Sequence, residues 1–360
     1  MSGKPTMRAR VNDDPFVVEA DFYSITDDAR IECRICPRRC RLREGQRGLC
    51  FIRAARGRRM VLTTYGLAAG LSVDPIEKKP LYHFLPGSSV LSFGTAGCNL
   101  TCKYCQNWHL SRAKEVGLTS THASPEKIAS MAAGLDARSV AFTYNDPTVF
   151  LEYAVDVANE CRARGIFSVA VTAGYILPEP RAALFASMDA VNIDLKAFSE
   201  AFYRRLTGGH LAPVLETIEY VRNETSAWLE LTTLLIPGEN DSDQEIEALA
   251  RWVVERLGPD VPLHFSGFHP AFKMLDHPPT PRSSLVRARR IAIEQGVRHV
   301  YTGNVRDREG STTFCHACKK ALIRRDGFDV VVVEMKPDGS CASCGARCPG
   351  FFQAKKASLD

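Results

Sequence analysis

From about residue 88 to residue 303, short β-branched runs alternate with longer amphipathic stretches. This alternation restricts the chain more than any other feature, because it is the pattern of β/α units on a parallel sheet. The runs are Val90 to Thr95, Val140 to Tyr144, Ser168 to Thr172, Ala190 to Leu195, Leu229 to Ile236 and Leu263 to Phe265. Helices are predicted to begin near Pro125, Pro147, Pro178, His210, Asp241 and Pro281, several with proline in the first turn and Ser, Asp or Thr just before it. A seventh short run, His299 to Thr302, follows. Six such units fit a partial or open β/α barrel, and an open doubly wound sheet has the same alternation. In either architecture a site belongs at the C-terminal ends of the strands.

The flanks differ in character. Residues 1–87 are arginine-rich and turn-rich around four cysteines, and residues 304–360 read as a small cysteine-stapled tail. Three regions follow: a Cys/Arg-rich metal-binding segment (1–87), the barrel (88–303) and the tail (304–360). With 46 Lys+Arg against 41 Asp+Glu, 45% hydrophobic and 24% charged residues, the chain has the balance of a globular protein rather than a disordered one. No apolar run reaches the roughly 18 residues that a membrane span needs. Residues 1–20 lack the apolar core of a signal peptide, so a cytoplasmic protein without membrane contact is expected.

The 13 cysteines are too many for an intracellular disulfide scaffold, and they cluster as metal ligands do. Cys98, Cys102 and Cys105 form a C-x3-C-x2-C loop directly after the first barrel strand. Three thiolates can hold a [4Fe–4S] cluster while leaving one iron open, whereas a closed site would need a fourth, distant ligand. Cys315-x2-Cys318 and Cys341-x2-Cys344 form the two knuckles of a four-cysteine zinc ribbon, with mononuclear iron as the alternative. Cys348 is surplus to that site, as a free thiol or a competing ligand. Cys33, Cys36, Cys40 and Cys50 suit zinc or an auxiliary iron–sulfur cluster, since thiolates alone serve both. Cys161, in the helical stretch Val149 to Arg164, is expected to be a buried core thiol.

The C-x3-C-x-aromatic-C loop after a first strand resembles the radical S-adenosylmethionine superfamily. The resemblance implies a partial (β/α)6 barrel and a [4Fe–4S] cluster on Cys98, Cys102 and Cys105, with S-adenosylmethionine on the open iron. Reductive cleavage of that cofactor would yield a 5′-deoxyadenosyl radical that abstracts hydrogen from substrate. Tyr104 matches the aromatic position that meets adenine. Asn145 and Asp146 of Thr143-Tyr144-Asn145-Asp146-Pro147 could accept from the methionine ammonium, although Asp before Pro is also an ordinary helix cap. Thr172 and Gly174 end the third strand. Asp194 and Lys196, two apart on one strand face, match the Asp-Leu-Lys of glycyl-radical-enzyme activases. Pro237 and Asn240 match that branch's segment near adenosine, and His269, with His264, offers proton transfer beside the substrate entrance.

The N-terminal Cys-x2-Cys-Pro-x2-Cys segment, Asp-Leu-Lys, Phe268-His269-Pro270 and Tyr301-Thr302-Gly303-Asn304-Val305 together resemble the radical enzyme of the AmmeMemoRadiSam system, over roughly residues 30–352. Asp146 stands where Glu is usual in that family, and Cys348 where an apolar residue is. The resemblance implies an oxidoreductase, similar to pyruvate formate-lyase activating enzyme, that modifies a peptide or protein. It would draw on a reductant such as flavodoxin or ferredoxin, with Memo-like and AMMECR-like proteins as partners. Arg30 to Arg59 holds 11 arginines against Glu32 and Glu44, which raises RNA modification as an alternative, but few aromatic residues interleave them to stack bases. A zinc-ribbon adaptor with a degenerate barrel is the non-enzymatic alternative.

Overall fold

The computed structural model describes residues 8, 10–11, 14–113 and 120–352. Seven strands carry the alternation: β1 (Ser89–Gly94), β2 (Ser139–Phe142), β3 (Phe167–Thr172), β4 (Ala190–Asp194), β5 (Trp228–Leu235), β6 (Leu263–Gly267) and β7 (Val300–Gly303). Six helices intervene: α1 (Pro125–Gly134), α2 (Leu151–Arg162), α3 (Pro178–Phe185), α4 (Ala212–Glu224), α5 (Asp243–Leu257) and α6 (Arg282–Glu294). The starts follow local chemistry. Ser124 and Ser242 cap α1 and α5 by accepting from the N–H of Lys127 and Glu245. The helix predicted at Pro147 opens with one 3-10 turn, Pro147–Phe150, before α2. Along α5 the buried residues Ile246, Leu249, Ala250, Val253 and Leu257 recur at helical spacing and form one apolar stripe. Cys161 on α2 is fully buried, as a core thiol should be.

The chain forms two compact units. Among the described residues, the first runs through Val73 and adds Val90–Thr101 and Cys105–Asp189. The second takes Asp74–Ser89, Cys102–Tyr104 and everything from Ala190. In the first unit β1, β2 and β3 pair in parallel, with Val90 opposite Ser139 and Ser139 opposite Phe167. Its N-terminal part contains more strand than its sequence suggested. Arg10–Val11, Asp14–Glu19, Arg59–Leu62 and Arg53–Arg56 make one antiparallel sheet, and Tyr23–Ile25, Ile31–Cys33 and Arg41–Leu42 make another. Strands of two to six residues are too short to leave a readable alternation.

In the second unit β4, β5, β6 and β7 pair in parallel. The register sorts its side chains cleanly. Asn192, Asp194, Glu230, Thr232, His264, Ser266 and Tyr301 fall on one face, while Val191, Ile193, Leu229, Leu231, Leu263 and Phe265 fall on the other. The polar set is buried apart from the half-buried Asp194. A polar face inside a parallel sheet marks a functional cavity, since an ordinary core would be apolar on both faces. Residues Asp74–Ser89, which adjoin the cysteine-rich segment in sequence, pack in this second unit. The tail forms a small antiparallel sheet, with Thr313–Phe314 just before the first knuckle and Ala321–Asp326 and Asp329–Val332 between the two. Among the described residues no helix is long and apolar enough to cross a membrane.

Candidate active site and metal centres

The three-cysteine loop leaves β1 at Gly94 and is held by one side chain from the end of β2. The Asn145 amide donates to Thr95 Oγ1 (3.1 Å), Ala96 O (3.2 Å) and Gly97 O (2.8 Å), while its Oδ1 accepts from the Thr95 N–H (3.1 Å). Asn145 thus clamps the entry to the loop, with its amide and carbonyl both engaged there. Gly97 has φ 80°, and a Cβ there would collide with the carbonyl of Cys50, so glycine is required twice over. The buried Asn99 amide donates to Tyr175 O at 2.7 Å and anchors the middle of the loop. Cys98, Cys102 and Cys105 are half-buried, and Cys105 Sγ lies 3.3 Å from Ser111 Oγ. Three half-exposed thiols on a clamped loop at a strand end suit an iron–sulfur cluster with one open iron.

The other strand-end residues are also placed. Asp146 is buried and fully engaged, accepting from Thr148 N–H (2.9 Å), Thr172 Oγ1 (3.0 Å) and Ala173 N–H (2.8 Å). It therefore caps the turn at Pro147 and ties the end of β2 to that of β3, where Gly174 takes φ 66°. Lys196 Nζ lies 3.0 Å from Asp194 Oδ2. Burial works against the Lys196 ammonium, but Asp194 and Cys102 outweigh it and hold its pKa well above the usual value. Tyr104 is buried with its ring centroid 5.9 Å from that of Phe202, and among the described residues its hydroxyl has no hydrogen-bond partner. Burial and the nearby Cys102 push its pKa well up, so it stays a neutral donor. Asn240 fastens the ends of β4 and β5, donating to Lys196 O (2.8 Å) and Leu234 O (2.9 Å), and Pro237 begins the turn it closes.

Two of the most engaged groups of the second unit stand apart from these motifs. Glu230, fully buried on β5, accepts from the N–H groups of Tyr82 (3.0 Å) and His83 (2.7 Å) and from Trp228 Nε1 (2.9 Å). Its fourth partner is His264 Nε2 at 2.7 Å. Burial pushes its carboxyl up, but His264 and the hydrogen bond from Trp228 more than compensate and leave its pKa below the usual range. A lone carboxylate between leucines in Trp228-Leu229-Glu230-Leu231 is the sequence signal for such a group. Beside it a cavity of about 1060 Å3 is lined by Tyr82, His264, Ser266, Arg282, Thr302 and Arg325, among others. Asn192 Oδ1 and Thr232 Oγ1, on the same face, are buried without a partner among the described residues. His264 thus belongs to the buried network, whereas His269 is exposed on the turn after β6.

The tail cysteines converge. Cys315 and Cys344 sulfurs are 3.6 Å apart, those of Cys318 and Cys341 are 3.7 Å apart, and all four lie within 4.8 Å of one another. A tetrahedral ion with bonds of about 2.3 Å requires this spacing. Cys348 lies outside that group, buried with Leu322 and Ile323, its sulfur 3.7 Å from His83 Nδ1. In the first unit Cys33, Cys36 and Cys50 are buried and Cys40 half-buried. Burial pushes the Cys33 thiol up to about 11 and raises Cys36 and Cys50 as well, so these sulfurs would stay protonated without a metal. Several arginines of the same stretch are neutralised locally. Arg53 is fully buried against Glu152 at 2.5 Å, and Arg39 and Arg41 pair with Glu32. This pairing reduces the patch available to a polyanion.

The radical SAM superfamily model matches residues 93–253. An uncharacterized protein of Methanocaldococcus jannaschii is 39% identical over 330 residues, 91% of this chain and 98% of that protein. The pyruvate formate-lyase-activating enzyme of Clostridium pasteurianum is 26% identical over 160 residues, 43% of this chain and 65% of that enzyme. Among solved structures, Streptococcus suis SuiB bound to S-adenosylmethionine aligns with TM-score 0.48 and 14% identity, over 63% of this chain and 52% of that one. With the C-x3-C-x2-C loop clamped at the end of β1, the superfamily model and the sequence relatives show that the chain belongs to the radical SAM superfamily and is an enzyme of it.

Proposed function

We propose that the protein reductively cleaves S-adenosylmethionine at a [4Fe–4S] cluster held by Cys98, Cys102 and Cys105, and that it abstracts hydrogen from a peptide or protein. The bound cluster and cofactor supply the radical chemistry. This chain's residues do the rest. Asn145 and Asn99 fix the loop, so the three thiols are presented without the entropy cost of ordering a mobile segment. Lys196 keeps its charge beside Asp194 and offers a fixed cation to a carboxylate or ring nitrogen of the cofactor. Tyr104 presents a protonated hydroxyl. Glu230, through Tyr82, His83 and His264, stiffens the cavity wall where substrate would lie.

The carrying observation is the three-cysteine loop at the end of β1, clamped by Asn145. The polypeptide substrate is supported by the pyruvate formate-lyase-activating enzyme among the relatives, and Memo-like and AMMECR-like proteins are the candidate partners. We assign zinc to the tail on its sulfur spacing. The substrate class is tested with the protein and RNA fractions of a perdeuterated extract of the native cells, each incubated with reconstituted enzyme and dithionite. Deuterium in 5′-deoxyadenosine from the protein fraction is expected. Transfer from the RNA fraction alone, or from neither, would refute the polypeptide reading.

A further inference from the structure

The four N-terminal thiols form a site of their own. Cys33 joins Cys40 through a backbone hydrogen bond (Cys33 N–H to Cys40 O, 2.9 Å), and the Cβ position of Gly48 lies 3.7 Å from Cys40 Sγ and 3.8 Å from Cys50 Sγ. Backbone N–H groups point at the sulfurs: Ile35 at Cys33, Arg38 at Cys36, and Ile52 and Arg53 at Cys50. Amide donors to sulfur favour the thiolate, the form that ligates a metal. Arg53, fully buried, adds a positive charge beside Cys33 and Cys50.

The site differs from the tail in water access. Cys318 and Cys344 of the tail are exposed, whereas Cys33, Cys36 and Cys50 are 5, 6 and 7% exposed. Burial protects a cluster that solvent and oxygen would degrade and helps set its potential.

The site is also built onto the loop of the first cluster. The Cys50 carbonyl occupies the space a side chain on Gly97 would need, one residue from Cys98. Arg38 Nε donates to Asn99 O at 3.0 Å, and the Leu177 N–H donates to Ile35 O at 3.1 Å. The Arg112 guanidinium lies 5.4 Å from the centre of the Phe51 ring.

We propose that Cys33, Cys36, Cys40 and Cys50 hold a second iron–sulfur cluster that relays single electrons to the cluster on the Cys98–Cys105 loop. A low-potential one-electron protein donor of the ferredoxin or flavodoxin class reduces the second cluster. That cluster is reoxidised as the first is reduced, and the electron is spent in breaking the sulfonium C–S bond, with no proton moved between the clusters. The relay rests on the function proposed above, while the metal assignment stands without it.

The test uses the full chain, purified anaerobically. A variant with Cys98→Ala, Cys102→Ala and Cys105→Ala should retain about four irons and four sulfides together with one zinc. Two zincs and no iron would overturn the assignment while leaving dithionite-driven cleavage by the wild-type chain intact. A Cys36→Ala, Cys40→Ala variant should keep more than half of the dithionite-driven cleavage and lose at least tenfold with reduced flavodoxin. An unchanged flavodoxin-driven rate would overturn the relay. Should that variant fail to fold, a dithionite titration of the wild-type chain decides the matter. Two electrons taken up per chain with a spin-broadened signal are expected, and a single electron would refute the second cluster.

Discussion

Gly97 is the residue on which the three-cysteine loop and the N-terminal knot both depend, and Gly97→Ala separates backbone strain from collision. At φ 80° an alanine bears the left-handed penalty of about 1–2 kcal/mol. Its Cβ would in addition overlap the Cys50 carbonyl and stand 3.2 Å from Ile52 Cγ2. The Cys50 carbonyl is backbone and cannot rotate away, so overpacking adds about 1–3 kcal/mol. Gly165 supplies the control, with φ 69° and open space around its Cβ position, so Gly165→Ala bears the first penalty alone. Urea unfolding followed by circular dichroism, with iron counted after anaerobic reconstitution, reads both effects. Gly97→Ala should be the less stable variant by about 1–3 kcal/mol and should lose most of its cluster, while Gly165→Ala keeps full iron. Equal stability and equal iron in the two variants would refute the close approach of Cys50 to Gly97.

Other outcomes follow from single groups. Asn145→Ala removes three donated hydrogen bonds at about 0.5–1.5 kcal/mol each, so dithionite-driven deoxyadenosine formation should fall at least tenfold; an unchanged rate would show that the loop holds itself. Glu230→Gln turns an amide N–H toward two of the four donors that Glu230 now accepts, at about 2–3 kcal/mol, read as a shift in the urea midpoint. His83 is buried neutral, its pKa pushed down from 6.5 to about 3 chiefly by burial and then by His299. The unfolded chain binds a proton there that the folded chain refuses. Stability is therefore full above about pH 6.5 and falls as pH drops toward 3, by about 1.4 kcal/mol per unit. His83→Gln should flatten that slope by one proton, and an identical slope would count against the burial.

The fold was legible wherever elements were long. Strand and helix positions between Ser89 and Gly303 agree with the apolar periodicity to within about two residues, because period 2 and period 3.6 separate cleanly over such lengths. The N-terminal strands, two to six residues long, are shorter than either period can reveal. At the site, the cysteine spacing was legible because ligand geometry is local. The roles of Asn145 and Asp146 were less so. Both sit where a cofactor contact was expected, yet Asn145 clamps the loop and Asp146 caps a turn, since their partners at Thr95, Gly97 and Thr172 come from other strand ends. Tyr82 and His83 lie some 150 residues from Glu230 in sequence, a separation that no motif spans.

The most direct measurement is 5′-deoxyadenosine released from S-adenosylmethionine by the anaerobically reconstituted chain under dithionite, beside the variant lacking Cys98, Cys102 and Cys105. Deoxyadenosine and methionine are expected in equal amounts from the wild-type chain, and none above background from the variant. A wild-type chain that holds its full iron yet releases no deoxyadenosine, or a variant that releases as much, would contradict this.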